Sequence, residues 1–189
     1  MFLARRPSPN AIDRFVAESQ DLPLSYGPVG LAHRNDPGFR IDEQTVVIGH
    51  GDRSFQYATT ALLEWRHFDL GWVTIQPAGA PIAPRVVVAV VVNHVGIWSM
   101  NGCRVLETFG TPGEAEFGFS YGTLTNHAEC GEEIFKVRFE PETGNVTYII
   151  RAASRPRALL ARLGYPVTRW QQARFRRDSA AAMQRAVNR

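Results

Sequence analysis

Between residues 71 and 154 the chain runs through six β-type segments in series: WVTIQP, RVVVAVVV, GIWSMNGCRVLETF, EAEFGFSYGTL, EEIFKVRFE and NVTYIIRAAS. Turn signals such as QPAGAP, GTPGE and PETGN separate them. Parallel neighbours would need crossovers of helix length, so these short connections predict an antiparallel meander. Before the meander come a β run, QTVVIGHG, and a helix over RSFQYATTALLEWRHF, with Asp52 as its cap and Phe55, Thr59, Leu62 and Trp65 or Arg66 on one stripe. After it come a helical segment, RPRALLARL, and a long helix with Pro166 near its first turn that runs to about Val187. Trp170, Ala173, Ala180, Met183 and Val187 form the apolar stripe of that last helix. A curved sheet must cover its concave face, and a long amphipathic helix can do so. The expectation is an α+β fold, a strongly curved antiparallel sheet wrapped around a C-terminal helix. It forms one domain over 23–189, preceded by a helical arm over 1–22 in which Ser8-Pro9 starts the helix SPNAIDRFVAES.

A chain of 189 residues, 44% hydrophobic, can bury one substantial core. Its longest apolar run, VVVAVVV, is too short to cross a bilayer, and MFLARRPSPN holds no stretch of signal-peptide length, so a soluble, cytoplasmic protein without a transmembrane segment is expected. Cys103 and Cys130 sit in no CxxC pair and read as ordinary reduced thiols. Net charge is +3, but residues 151–189 carry ten arginines against Asp178, a local +9 that leaves −6 for the rest. Such a segment can meet an anionic partner or the acidic body of its own protein. The run ARFRRDS lacks the interleaved aromatics of a single-strand binder, so pairing within the molecule is expected and nucleic acid is not.

Residues two apart on a strand share a face. Alternation places Ala115, Phe117, Phe119, Tyr121 and Thr123 on one face of their strand, and Glu133, Phe135, Val137 and Phe139 on one face of the next; these apolar faces are the buried ones. The opposite faces, with Ser120, Gly122, Glu132, Ile134 and Lys136, are expected to face outward. A hairpin centred on His127 sets Tyr121 opposite Glu133, two polar residues at the end of an apolar wall. A carboxylate there tends toward a raised pKa, and the phenol gains an acceptor, so the pair can act as acid and base or orient a ligand carbonyl. A one-residue bulge would separate them. His127, with a near-neutral pKa at the tip, is a candidate assistant in proton transfer or an ordinary turn histidine.

The order of elements resembles the helix-grip fold of the START and birch-allergen-like superfamily, which includes polyketide cyclases and dehydratases. PLSYGPVG, LLEWRHF, CRVLETF, FSYGTLTNHAECGEEIF and SRPRALLARLGYPVTRWQQARFRRDS together look like a family of bacterial and plant proteins catalogued as a domain of unknown function. The likeness runs from about Pro23. It is most specific at Tyr121, Gly122, Thr123, Leu124, His127, Gly131, Glu132 and Glu133, followed by Ser154, Arg155 and Pro156. The family name implies no reaction. The superfamily implies a cavity between sheet and helix for a small, largely apolar or polyketide-like ligand.

The candidate site therefore comprises Tyr121, Glu133 and His127 as catalytic residues, with Trp65, Phe117, Phe119, Thr123, Phe135, Val137 and Trp170 lining the ligand. Chemistry there would be cofactor-independent: cyclisation, dehydration or isomerisation. Two alternatives are a binding module without catalysis and an interaction protein that uses its arginine-rich helix. HAE followed by Cys130 is half of a zinc deaminase signature whose PCxxC is missing, so no metal is expected. Arg66 and His67 of EWRHF, Arg104 with Glu107, and Asn93 with His94 read as structural positions.

Overall fold

β-branched and aromatic residues at alternate positions, punctuated by Gly and Pro, produce an eight-stranded antiparallel sheet. The computed structural model describes residues 1–111, 114–156 and 165–188. The strands are β1 (Phe2–Leu3), β2 (Arg40–His50), β3 (Val73–Gln76), β4 (Val87–His94), β5 (Ile97–Phe109), β6 (Glu116–Thr123), β7 (Glu129–Phe139) and β8 (Asn145–Pro156). They lie in the order β2-β8-β7-β6-β5-β4-β3, with β1 added to β5. The six expected strands are the meander β3 to β8, and the run QTVVIGHG is the C-terminal part of a longer β2 that closes the far edge against β8.

Among the described residues there are three α-helices: α1 (Pro9–Ser19), α2 (Asp52–Leu63) and α3 (Tyr165–Val187). In α1 the Ser8 hydroxyl accepts a hydrogen bond from the Ala11 N–H, capping the helix, and Phe15 buries against Ala89, Val91 and Met100. Gly51, not Asp52, occupies the cap position of α2, and Asp52 is its first helical residue. That helix also ends earlier than its pattern predicts. Trp65 adopts a left-handed backbone, φ 58°, which breaks the helix and turns the chain into a 3-10 turn over Arg66–Phe68. The segment RPRALLARL falls largely outside the described residues; its first two belong to β8.

The concave face of the sheet holds the main core. Val105, Phe117, Phe119, Phe135, Val137, Tyr148 and Ile150 meet Phe55, Leu62, Trp65 and Phe68 from the α2 side and Ala180, Met183 and Val187 from α3. This is a curled sheet gripping a C-terminal helix. On the convex face, residues 22–39 form a second cover, joined to the sheet by a bridge between Leu24 and Leu124. The expected outward face of β6 and β7 is therefore buried: Ser120 is 1% and Glu132 3% exposed. No helix among the described residues is long and apolar enough to cross a membrane.

Candidate active site

The register of β6 with β7 pairs Tyr121 with Glu133, with no bulge between Glu116 and Gly122. One further step places Glu133 against Ala152 on β8, and the next places Ala152 against Asp42 on β2. Asp42, Ala152, Glu133, Tyr121 and, on β5, Val105 thus form one row across four strand pairs. Two strand spacings, roughly 10 Å, separate the two acids, with only an alanine methyl between them. Glu129 continues the Glu133 face of β7 toward the sheet end, two alternations away.

The N-terminal half of α3 lies over this row with a polar stripe. Arg169, Gln172 and Arg176 recur at helical spacing. Arg169 donates to both carboxylate oxygens of Asp42 at 2.5 and 2.6 Å, and Gln172 donates to Glu129 at 2.8 Å. Arg176 stands 3.8 Å from Asp42. This corrects the expected apolar stripe. Ala180, Met183 and Val187 are buried, but Trp170 is 56% exposed and Ala173 is exposed as well. Trp170 lines no interior wall; its ring lies beside the Arg174 guanidinium, which also sits 4.3 Å from the Trp72 ring.

The Tyr121 hydroxyl donates to Glu133 at 2.8 Å. Glu133 keeps some solvent-accessible surface yet lies deep in the fold, on the same strand face as Glu129, which lines a narrow recess. Desolvation there pushes its pKa up to about 7; the Tyr121 hydrogen bond and the Arg176 charge oppose the rise, while Glu129 and Asp42 add to it. Burial, then the nearby Glu133 charge, raises Tyr121 well above an ordinary phenol, so it remains a proton donor. Burial also raises Glu129, against the Gln172 hydrogen bond and the Arg169 charge. Asp42 moves the other way, held low chiefly by its hydrogen bond from Arg169. One row of side chains thus carries a firmly ionised carboxylate and one poised to exchange a proton near neutrality.

The remaining expected residues are placed differently. His127 sits in the β6–β7 turn, where its Nδ1 accepts from the Glu129 N–H at 2.9 Å, so this nitrogen is held by the turn. Thr123 exchanges hydrogen bonds with the Gly131 backbone and the Ser25 hydroxyl, stitching the hairpin to the convex cover. Trp65, Phe117, Phe119, Phe135 and Val137 are core residues packed on one another, with Trp65 and Phe119 ring centres 4.9 Å apart and Phe119 and Phe135 5.4 Å apart. The Trp65 indole N–H donates to the Ala80 carbonyl at 2.8 Å. The recess beside the row has a volume of about 100 Å³, lined by Arg40, Glu129, Ser154, Arg155, Thr168, Arg169 and Gln172. The room at this end is small and polar, unlike the expected apolar cavity. A larger cleft of about 640 Å³ lies elsewhere, between α2 and the β6–β7 end marked by Ala115 and Phe139.

Other polar positions are tied into the fold. Arg104 donates to the carbonyls of Gln20 and Leu22, and Glu107 accepts from Ser120 and contacts His33. His67 is fully buried against Trp65, Phe68 and Phe135 and is kept neutral by desolvation, its pKa lowered to about 3. The Glu132 carboxylate, on the convex side, accepts from the Tyr26 hydroxyl and the Gly30 N–H, each at 2.7 Å, and from the Ala32 N–H at 3.0 Å. Gly122 makes this approach possible: a Cβ there would lie 2.2 Å from the Tyr26 hydroxyl oxygen. Much of the YGTL and GEE signature thus serves the convex cover. Among the arginines of α3, Arg174 and Arg177 pair with Asp178, while Arg169 and Arg176 meet Asp42.

Asp42, Glu129, Arg169, Gln172 and Arg176 were absent from the sequence-based site. Alternation extended back from Glu133 reaches Glu129, and the 3.6-residue period connects the three α3 residues; Asp42 required β2 to begin at Arg40.

A family model described as a domain of unknown function, DUF1990, matches residues 25–182. A UPF0548 protein of Dictyostelium discoideum is 34% identical over 207 residues, covering 99% of this chain and 96% of its own. A UPF0548 protein of Arabidopsis thaliana is 33% identical over 155 residues, covering 80% and 75%. Among solved structures, a hypothetical protein from Helicobacter pylori superposes with a TM-score of 0.57 at 10% identity, covering 76% of this chain and 85% of that one. The Zhui aromatase/cyclase of a Streptomyces species superposes with a TM-score of 0.51 at 14% identity, covering 80% and 94%. The structural likeness defines a shared helix-grip fold, and the match over most of the sequence defines the closer kinship: the chain belongs to the DUF1990 family.

Proposed function

We propose that this protein binds a small carbonyl-bearing molecule in the recess between α3 and the β2-β8-β7-β6 part of the sheet, and moves a proton on it with Glu133 and Tyr121. The observation that carries the reading is the Glu133 carboxyl: deep, partly reached by solvent, hydrogen-bonded by Tyr121 and brought to a pKa of about 7. A general base or acid is most effective when its pKa lies near the working pH. Glu133 would remove a proton from the carbon next to the carbonyl. The Tyr121 phenol, which burial keeps protonated, would turn to the carbonyl oxygen as negative charge develops. Such enolisation is the shared first step of many isomerisations, dehydrations and cyclisations, and it needs no cofactor. That an aromatase/cyclase uses the same fold is consistent with the reading.

The test is deuterium incorporation from D₂O into a panel of small ketones, aldehydes and 2-oxo acids, followed by proton NMR. The reading expects protein-dependent exchange at the carbon beside the carbonyl for at least one class. Loss of positioned acid/base catalysis costs about 10²- to 10⁴-fold, so Glu133→Gln and Tyr121→Phe should abolish the exchange. Exchange that survives both substitutions would place the chemistry elsewhere. A second reading, binding without chemistry, is favoured by the Tyr121 hydroxyl already being engaged by Glu133; it expects bound ligand and no exchange.

A further inference from the structure

Arg176 is 15% exposed and donates no hydrogen bond among the described residues. Its nearest carboxylate, Asp42, is 3.8 Å away and already accepts both bonds of the Arg169 fork. A guanidinium presents five N–H donors, and holding them away from water without acceptors is costly. Arg155, at the recess lining, stacks on the Phe39 ring at 4.5 Å and forms no ion pair with a described carboxylate. Arg40 adds a third cation, 3.5 Å from Asp42. Three guanidinium groups, Arg169, Arg176 and Arg40, thus act on Asp42, and Arg155 adds a fourth at the recess lining, while burial pushes Glu129 and Glu133 toward their neutral forms. The recess is short of negative charge.

Its geometry has a direction. Gln172 lines the open volume, and Arg176 lies one helical turn further along the same face of α3, near enough for its charge to act on Glu133. A volume of about 100 Å³ is room for roughly three waters, or a molecule of a few heavy atoms.

We propose that the recess binds a small organic carboxylate, drawn in by Arg155 and Arg40 at the mouth and held by the Arg176 guanidinium. Planar, forked donors match a carboxylate, as the Arg169–Asp42 pair beside it already does. A 2-oxo acid of three or four carbons seated this way would present its carbonyl to Tyr121 and its neighbouring carbon to Glu133. The assignment of those two roles rests on the proposed acid/base reading; recognition of the anion does not.

Saturation-transfer NMR at pH 7 with pyruvate, acetate, acetone and inorganic phosphate as probes tests the inference. Pyruvate and acetate should bind, acetone should not, and the affinity should fall as salt rises. A lost charge-assisted hydrogen bond weakens binding on the order of ten- to a hundredfold, the effect expected for Arg176→Gln. Arg155→Gln should weaken it severalfold; it removes a cation on an exposed residue, so it carries the test if the Arg176 variant does not fold. Acetone binding as well as pyruvate, phosphate outcompeting both carboxylates, or carboxylate binding unchanged in the folded variants would each overturn the inference. Carboxylate binding without deuterium exchange would sustain it while removing the acid/base reading. Exchange on neutral ketones without carboxylate preference would do the reverse.

Discussion

Replacing Glu133 with Gln should make the protein more resistant to unfolding at pH 8 than at pH 5, relative to wild type. In the folded state the carboxyl holds its proton up to about pH 7, against an ordinary value of 4.5. Between those values the unfolded chain has released a proton that the native state retains, so wild-type stability falls as pH rises through this window. At about 1.4 kcal/mol per pKa unit the shift corresponds to about 3 kcal/mol, reduced to roughly 2–3 kcal/mol because solvent reaches part of the side chain. Gln cannot ionise and escapes the loss. Any fixed cost of its amide in the recess cancels when the two pH values are compared. Urea denaturation of both proteins at pH 5 and pH 8 reads the difference directly; in thermal melts of a chain this size it amounts to roughly 4–12 °C. A difference between variant and wild type that is the same at both pH values would refute the argument, because Glu133 would then titrate alike in the folded and unfolded states.

Two further substitutions probe the frame around the site. Met183→Ala should cost about 2–5 kcal/mol in urea denaturation, because Met183 is fully buried between α3 and the concave face; a loss below about 1 kcal/mol would place α3 outside the core. Gly122→Ala should destabilise by about 1–3 kcal/mol through the clash with the Tyr26 hydroxyl, and Tyr26→Phe in the same chain should recover part of it; equal losses in both backgrounds would mean that the convex cover does not press on this glycine.

The meander and the Tyr121–Glu133 register were legible because strand patterns have period two and the β6–β7 turn is short, so one residue at its centre fixes every pair. The side chains above the row were harder to read. A search for an apolar stripe on α3 selects Trp170 and Ala173, whereas the part of the helix over Asp42 presents Arg169, Gln172 and Arg176 because the sheet beneath it carries acids. Glu132 alternates outward as expected, yet it is buried by backbone N–H groups of Gly30 and Ala32, donors that no side-chain pattern reveals. Trp65 leaves the helix through a left-handed backbone that a tryptophan seldom adopts, so the helical stripe runs on past the point where the helix ends. The aromatics expected to surround a ligand lie on the expected face, where they pack on one another, and one opening lies at the polar end while a larger one lies beside α2.

Carbon-13 NMR of the Glu133 side-chain carboxyl, followed across pH 3 to 9 in wild type and in Tyr121→Phe, tests the acid/base account most directly. The account expects a midpoint of about 7 in wild type, and a higher one in the variant, since the Tyr121 hydroxyl stabilises the ionised form. A wild-type midpoint near 4.5, or one that does not move when the phenol is removed, would contradict it.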